Sequence, residues 1–169
     1  ALLGSGGMGS VYRAHQLVLE TDVAIKVLSA DRAGDEDALE RFRREAKNAS
    51  KLDHPNLVPV TDFGQLEDGR LYLAMPLIEG TELHIKKDEP LAIDRAVEIA
   101  AQILDGLTFA HALGLVHRDL KPENVILQMT PNGEERVRLL DFGIALNARA
   151  AASESRLTKA NLVFGTPLY

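Results

Sequence analysis

The chain has 169 residues with no cysteine and no tryptophan, and its 25 acidic and 19 basic side chains give a formal net charge of −6. The missing thiols exclude a disulfide framework, a cysteine nucleophile and a cysteine-held zinc or iron–sulfur centre. The acidic balance argues against a nucleic-acid binder, and a chain of this length can bury roughly two-thirds of its unfolded surface without covalent staples.

In chain order, the first feature is Gly4-Ser5-Gly6-Gly7-Met8-Gly9-Ser10-Val11, a G-x-G-x-x-G-x-V pattern. Glycines let backbone N–H groups approach phosphate oxygens without a Cβ in the way, although a plain flexible turn uses the same residues. A dinucleotide-binding reading needs a helix directly after the glycines, whereas Ser10-Val11-Tyr12-Arg13 reads as a strand. Val23 to Leu28, Val-Ala-Ile-Lys-Val-Leu, reads as a second strand with Lys26 inside it. A lysine on a buried strand face needs an anionic partner, and one on an edge points to water.

From Asp35 to Leu52 the apolar residues Leu39, Phe42, Ala46, Ala49 and Leu52 recur at helical spacing. Acidic residues gather at the helix start, and Glu45 falls beside the apolar stripe. The basic residues Arg41, Arg43, Arg44, Lys47 and Lys51 lie mainly off it and form a solvated face. His54-Pro55-Asn56 ends the helix. Two strands follow, Leu57 to Phe63 and Arg70 to Leu77, with Glu67-Asp68-Gly69 as the turn. After Glu79-Gly80 comes the strongest helix, Asp94 to Leu113, with Ala96, Val97, Ala100, Ile103, Leu104, Leu107 and Ala110 as its apolar face. Asp94 is its expected N-cap and Gly114 its stop. Val125 to Leu127 and Val137 to Leu140 form a hairpin around Pro131-Asn132-Gly133, and Ala145 to Asn161 reads as a loop. A strand-rich part with one helix thus precedes a mostly helical part, which suggests two lobes joined near Leu77 to Gly80.

The densest chemistry lies in His117-Arg118-Asp119-Leu120-Lys121-Pro122-Glu123-Asn124 and in Asp141-Phe142-Gly143. Phosphoryl transfer to a hydroxyl needs a carboxylate to orient and deprotonate the acceptor. It also needs a cation near the phosphoryl group and oxygen ligands for Mg²⁺. Asp119, Lys121, Asn124 and Asp141 supply that set.

With these strings in order, followed by Gly165-Thr166-Pro167, the sequence resembles the eukaryotic-like protein kinases, and especially their bacterial serine/threonine members. The resemblance implies an α+β bilobal fold, with an antiparallel N-lobe sheet carrying one helix and a mainly helical C-lobe. Residues 1–77 would be the N-lobe, and residues 78–169 the hinge, catalytic loop and activation segment. The rest of the C-lobe would lie outside these residues, making this a partial kinase domain.

The residue roles implied by the resemblance are specific. Gly4, Ser5, Gly6, Gly7, Met8 and Gly9 would cover the ATP phosphates, and Lys26, paired with Glu45, would contact the α- and β-phosphates. Leu3, Val11, Ala24 and Ile126 would sandwich the adenine, with Met75 as gatekeeper. Pro76 C=O and Ile78 N–H would meet the adenine edge, and Glu82 would reach the ribose. Asp119 would be the catalytic base, Lys121 would neutralise the γ-phosphate, and Asn124 and Asp141 would hold Mg²⁺, or Mn²⁺ in its place. Lys121 and Thr166 imply Ser/Thr specificity. Arg118 implies activation by loop phosphorylation, with Thr158 the first candidate and Ser155 and Ser153 the others. His117 and Phe142 are expected to pack together.

The implied activity is transfer of the ATP γ-phosphate to Ser or Thr hydroxyls of proteins in bacterial signalling. A kinase dimer for trans-autophosphorylation is an implied partner, and nucleic acid is not. The span lacks both a signal peptide and the roughly 18 apolar residues of a membrane helix. It is expected in the cytoplasm, with any membrane anchor elsewhere in the protein. The alternatives are a nucleotide-binding pseudokinase or scaffold and a small-molecule phosphotransferase of the same fold.

Overall fold

The computed structural model describes residues 1–6, 9–28, 36–84 and 90–142. They form two compact units, Ala1–Lys51 with Pro59–Leu77, and Leu52–Val58 with Ile78–Phe142.

The first unit is built on an antiparallel sheet of five strands. These are β1 (Leu2–Gly6), β2 (Gly9–Gln16), β3 (Thr21–Leu28), β4 (Asp62–Gln65) and β5 (Leu71–Pro76), in the order β1-β2-β3-β5-β4. The chain continues from the glycine-rich segment into β2, as a strand and not a helix. Its register with β3 sets Val11 opposite Lys26 and Gly9 opposite Leu28. Gly9 has φ +137°, and a Cβ there would lie 2.1 Å from the Val27 carbonyl oxygen, so this position admits only glycine.

The helix α1 (Glu36–Ala49) buries Phe42, Ala46 and Ala49 at the expected spacing. The Phe42 ring meets Phe63 of β4 edge-on at 6.2 Å, the geometry that aromatic quadrupoles favour. The turn between β4 and β5 closes with Gly69 N–H donating to Leu66 C=O, at Gly69 φ +86°.

The strand anticipated over Leu57 to Phe63 begins only at Asp62. Leu57, Val58 and Val60 are buried all the same, and Pro59 has no N–H to give a ladder. Apolar alternation in this segment marks a buried connection.

The second unit holds the helix α2 (Ile93–Ala112) and a three-stranded sheet of β6 (Thr81–Glu82), β7 (Val125–Met129) and β8 (Glu135–Leu139), in the order β6-β7-β8. Asp94 lies in the first turn of α2 and not at its cap, which is Ala92. The turn beyond the helix passes through Gly114 at φ +73°.

The packed face of α2 is narrower than the sequence suggests. Ile99, Gly106 and Ala110 are buried, whereas Val97 and Leu104 are 61% and 62% exposed. A Cβ on Gly106 would sit 2.8 Å from Leu57 Cδ2, so glycine lets the helix close on the Leu52–Val58 segment. Among the described residues, no helix is long and apolar enough to cross a membrane.

Candidate functional site

In the first unit, Lys26 stands in β3 with only 8% of its surface exposed. Side chains alternate along a strand and cross-strand partners share a face. Lys26 therefore shares its face with Ala24, with Val11 opposite it on β2, and with Leu73 and Met75 on β5. Three of the residues expected around an adenine, Val11, Ala24 and Met75, thus surround the one lysine of this strand on one surface. Glu45 is half-buried on α1, in the same unit. Leu3 is in β1 and 52% exposed, and Pro76 ends β5. Gly4 and Gly6 lie in β1 opposite Val11 and Gly9. A Cβ added at either would meet nothing within 4 Å, so the fold itself does not require glycine there. Ser5 lies between them in the same strand, whereas Gly7 and Met8 lie outside the described residues.

In the second unit, the segment between α2 and β7 brings the catalytic candidates together. His117 is 2% exposed, its Nε2 is 2.8 Å from the Leu140 carbonyl, and its ring lies 4.7 Å from that of Phe142. Burial pushes the imidazole below its usual pKa. The hydrogen bond to Leu140 and the charges of Asp141 and Asp119 oppose that shift. Arg118, next in the chain, has φ +63°. This left-handed conformation is uncommon for a long side chain.

Asp119 is held on two sides. Lys121 Nζ lies 3.0 Å from Asp119 Oδ2. Asn124 Nδ2 donates to the same oxygen at 3.1 Å and to the Asp119 carbonyl at 2.7 Å. Asn124 itself is 7% exposed and closes a short 3₁₀ turn, Pro122–Asn124. Its amide nitrogen is committed to Asp119, so Oδ1 is the atom it can offer to a cation. Leu140 N–H donates to the Asn124 carbonyl at 2.9 Å, which sets Asp141 one residue from Asn124's neighbour. Asp141 has φ +56°, a conformation that aspartate tolerates better than most residues. An amide oxygen and a carboxylate form a hard donor set, and it fits Mg²⁺.

Ile126 is buried in β7 opposite Glu82 of β6, and Ile78 is half-buried. Gly80 lies so close to this sheet that a Cβ would be 2.6 Å from Ile126 Cγ2 and from the Leu127 carbonyl oxygen. Gly143, Ser153, Ser155, Thr158 and Thr166 lie outside the described residues.

The sequence reading missed a polar group behind this site. Asn56, 5% exposed, and Gln102 of α2 bind each other and the outer edge of β8. The available signal was a glutamine on the apolar side of a helix, flanked by Ile99, Ile103 and Gly106.

Comparison with known proteins agrees with this geometry. The sequence matches the family described as "Protein kinase domain" over residues 1–169. It is 47% identical over 171 residues to the serine/threonine-protein kinase pkn3 of Myxococcus xanthus, covering all of this chain and 31% of that protein. Against the serine/threonine-protein kinase PrkC of Bacillus subtilis it is 40% identical over 170 residues, covering 99% of this chain and 25% of that one. A crystal structure of the Mycobacterium tuberculosis PknI kinase domain superposes with a TM-score of 0.71 at 35% identity, covering 85% of this chain and 58% of the other. The chain therefore spans about a third or less of these two relatives and somewhat over half of the solved kinase domain. These matches, and a site whose Asp119, Lys121 and Asn124 are already in mutual contact, show that the chain belongs to the protein kinase domain family and is similar to its bacterial serine/threonine members.

Proposed function

We propose that the protein transfers the γ-phosphate of ATP to Ser or Thr hydroxyls of protein substrates, and that Asp119 is the base. The observation that carries this reading is the Asp119 carboxylate, oriented by the Asn124 amide and paired with Lys121 at 3.0 Å. Asp119 accepts the proton of the attacking hydroxyl while the hydroxyl oxygen bonds to the γ-phosphorus. The bond to the β–γ bridging oxygen breaks and ADP leaves. Lys121 offsets negative charge on the transferring group. Lys26, supported by Glu45, binds the α- and β-phosphates. We assign Leu3, Val11, Ala24, Met75 and Ile126 to the adenine, and Pro76, Ile78 and Glu82 to its edge and the ribose. Asn124 and Asp141 would hold Mg²⁺, which when bound supplies positive charge to the phosphate oxygens.

The intact acid, lysine and metal-ligand set argues against a pseudokinase. Thr158 and Ser155 are the loop hydroxyls we assign to activating phosphorylation, with a second copy of the kinase as the enzyme. We assign the kinase domain to the cytoplasm, where ATP and protein acceptors are available. The test is to incubate the complete protein with γ-labelled ATP, Mg²⁺ and a generic protein acceptor. Label on Ser and Thr is expected, and no transfer by the wild-type protein would sink the proposal.

The glycine segment gives a second, separable expectation. Gly9→Ala forces a Cβ against backbone and should destabilise the domain by about 1–3 kcal/mol or more. Gly6→Ala meets open space in the protein, so its thermal midpoint should hardly move while the KM for ATP rises. Thermal melts and ATP titrations of the two variants check this. Equal KM for Gly6→Ala and wild type would remove the phosphate role from that glycine.

A further inference from the structure

β8 is the edge strand of its sheet, yet its outer edge is paired along its length. Gln102 Nε2 donates to the Glu135 carbonyl at 3.2 Å, and Gln102 Oε1 accepts from Val137 N–H at 2.9 Å. Asn56 Nδ2 donates to the Val137 carbonyl at 3.0 Å and to Gln102 Oε1 at 2.9 Å. Leu139 N–H then donates to the Asn56 carbonyl at 2.8 Å, and Val58 N–H to the Leu139 carbonyl at 3.0 Å. Two side-chain amides and a short stretch of backbone thus replace a fourth strand. Each one satisfies a strand-edge group that would otherwise be buried unpaired or open to another chain.

The opposite side of the same strand is equally constrained. β7 pairs with β8 from Val125↔Leu139 to Met129↔Glu135. Just beyond the strand, Leu140 is gripped by Asn124 C=O and by the His117 ring. Asp141 is the next residue, in a left-handed conformation at φ +56°. The two metal-ligand candidates stand at either end of the hairpin, Asn124 directly before β7 and Asp141 two residues after β8. The register and tilt of β8 therefore set the distance between them.

Resting on the kinase reading, we infer that Gln102 is a positioning residue: its amide, acting as a strand-edge peptide, fixes β8 and thereby aims Asp141 at the cation held with Asn124. Gln102 itself touches neither nucleotide nor metal. Its two acceptor bonds and one donor bond need both a carbonyl oxygen and an N–H, so neither an apolar isostere nor a carboxylate can reproduce all three. Partners bonded directly to a metal ligand change metal affinity by about 10- to 100-fold when removed; Gln102 acts one strand further back, through Glu135 and Val137, so a smaller change is expected.

The test uses the complete protein with Gln102→Leu and Gln102→Glu. The first removes all three bonds. The second keeps the acceptor for Val137 N–H and Asn56 but loses the donor to Glu135 C=O, so it carries the test if the first fails to fold. Two readouts are taken. Hydrogen exchange of the metal-free protein should show faster exchange of the Val137 amide in Gln102→Leu. Calorimetric ATP binding with and without Mg²⁺ should show the Mg²⁺ concentration for half-maximal enhancement raised about threefold to tenfold, below the effect of a direct ligand partner. Affinity in the absence of Mg²⁺ should stay within about twofold, and Gln102→Glu should show the same trend with smaller amplitude.

A merely structural role would weaken ATP binding equally with and without Mg²⁺, and that result overturns the inference. So does an unchanged Mg²⁺ dependence in a folded variant whose Val137 amide has lost its protection. A wild-type protein whose ATP affinity does not respond to Mg²⁺ overturns the kinase reading instead, so the two failures are told apart.

Discussion

Replacing Asp119 by Asn should lower the rate of phosphoryl transfer by about 10²- to 10⁴-fold, the usual contribution of a positioned general base, which corresponds to roughly 3–5 kcal/mol of barrier. The substitution keeps shape and volume and removes the charge and the proton-accepting oxygen. Asn124 Nδ2 also donates to the Asp119 backbone carbonyl, so the loop retains one of its ties, and melting should stay cooperative. ATP affinity should change by only a few-fold, because the proposed role of Asp119 is on the acceptor hydroxyl and not on the nucleotide. The effect should therefore fall on kcat. Lys121→Met should also lower kcat, since it removes the partner of Asp119 and the cation proposed for the phosphoryl group. The double variant should lose less than the product of the two losses, because residues acting as one unit are not additive. Steady-state kinetics with a protein acceptor check these values, and an Asp119→Asn protein as active as wild type would remove Asp119 from the mechanism.

The sequence carried this site far because the chemistry is local in the chain. Asp119, Lys121 and Asn124 fall within six positions, and one short turn brings them together. On the face of β3 the period of two yields only Ala24 as a companion of Lys26; Val11 and Met75 followed from the family resemblance, and the strand register sets them on that face. Turn chemistry placed both hairpins through Gly69 and Gly133.

What could not be read was the choice among equivalent apolar surfaces. Periodicity along α2 announces an apolar face, yet packing selects the Ile99–Gly106–Ala110 side and leaves Val97 and Leu104 exposed among the described residues. The selection is made by Gly106, whose missing side chain admits Leu57. Sequence patterning reports hydrophobicity but not which neighbour arrives. Asn56 and Gln102 were hidden for the opposite reason. They are polar residues in contact only because the fold joins positions 46 residues apart, and each looks unremarkable in its own segment.

Asp141→Asn should abolish most of the Mg²⁺ enhancement of ATP binding and lower turnover by two orders of magnitude or more, on the several kcal/mol of charge stabilisation a bound metal contributes. The backbone makes this substitution informative. Asp141 sits at φ +56°, a region in which Asn and Asp are both enriched. Exchanging one for the other removes charge without adding strain. Asp141→Val removes the charge too, but sets a β-branched residue in that conformation and should cost an additional 1–3 kcal/mol or so of stability. His117 adds a further consequence. The Asp141 charge acts to raise the depressed pKa of this buried imidazole, so in Asp141→Asn the imidazole should titrate at still lower pH. Calorimetric ATP titrations with and without Mg²⁺, thermal melts and NMR titration of the His117 ring separate these effects. Melting midpoints that fall equally for the Asn and Val variants would refute the backbone argument. A Mg²⁺ response retained by Asp141→Asn would move the metal ligand elsewhere.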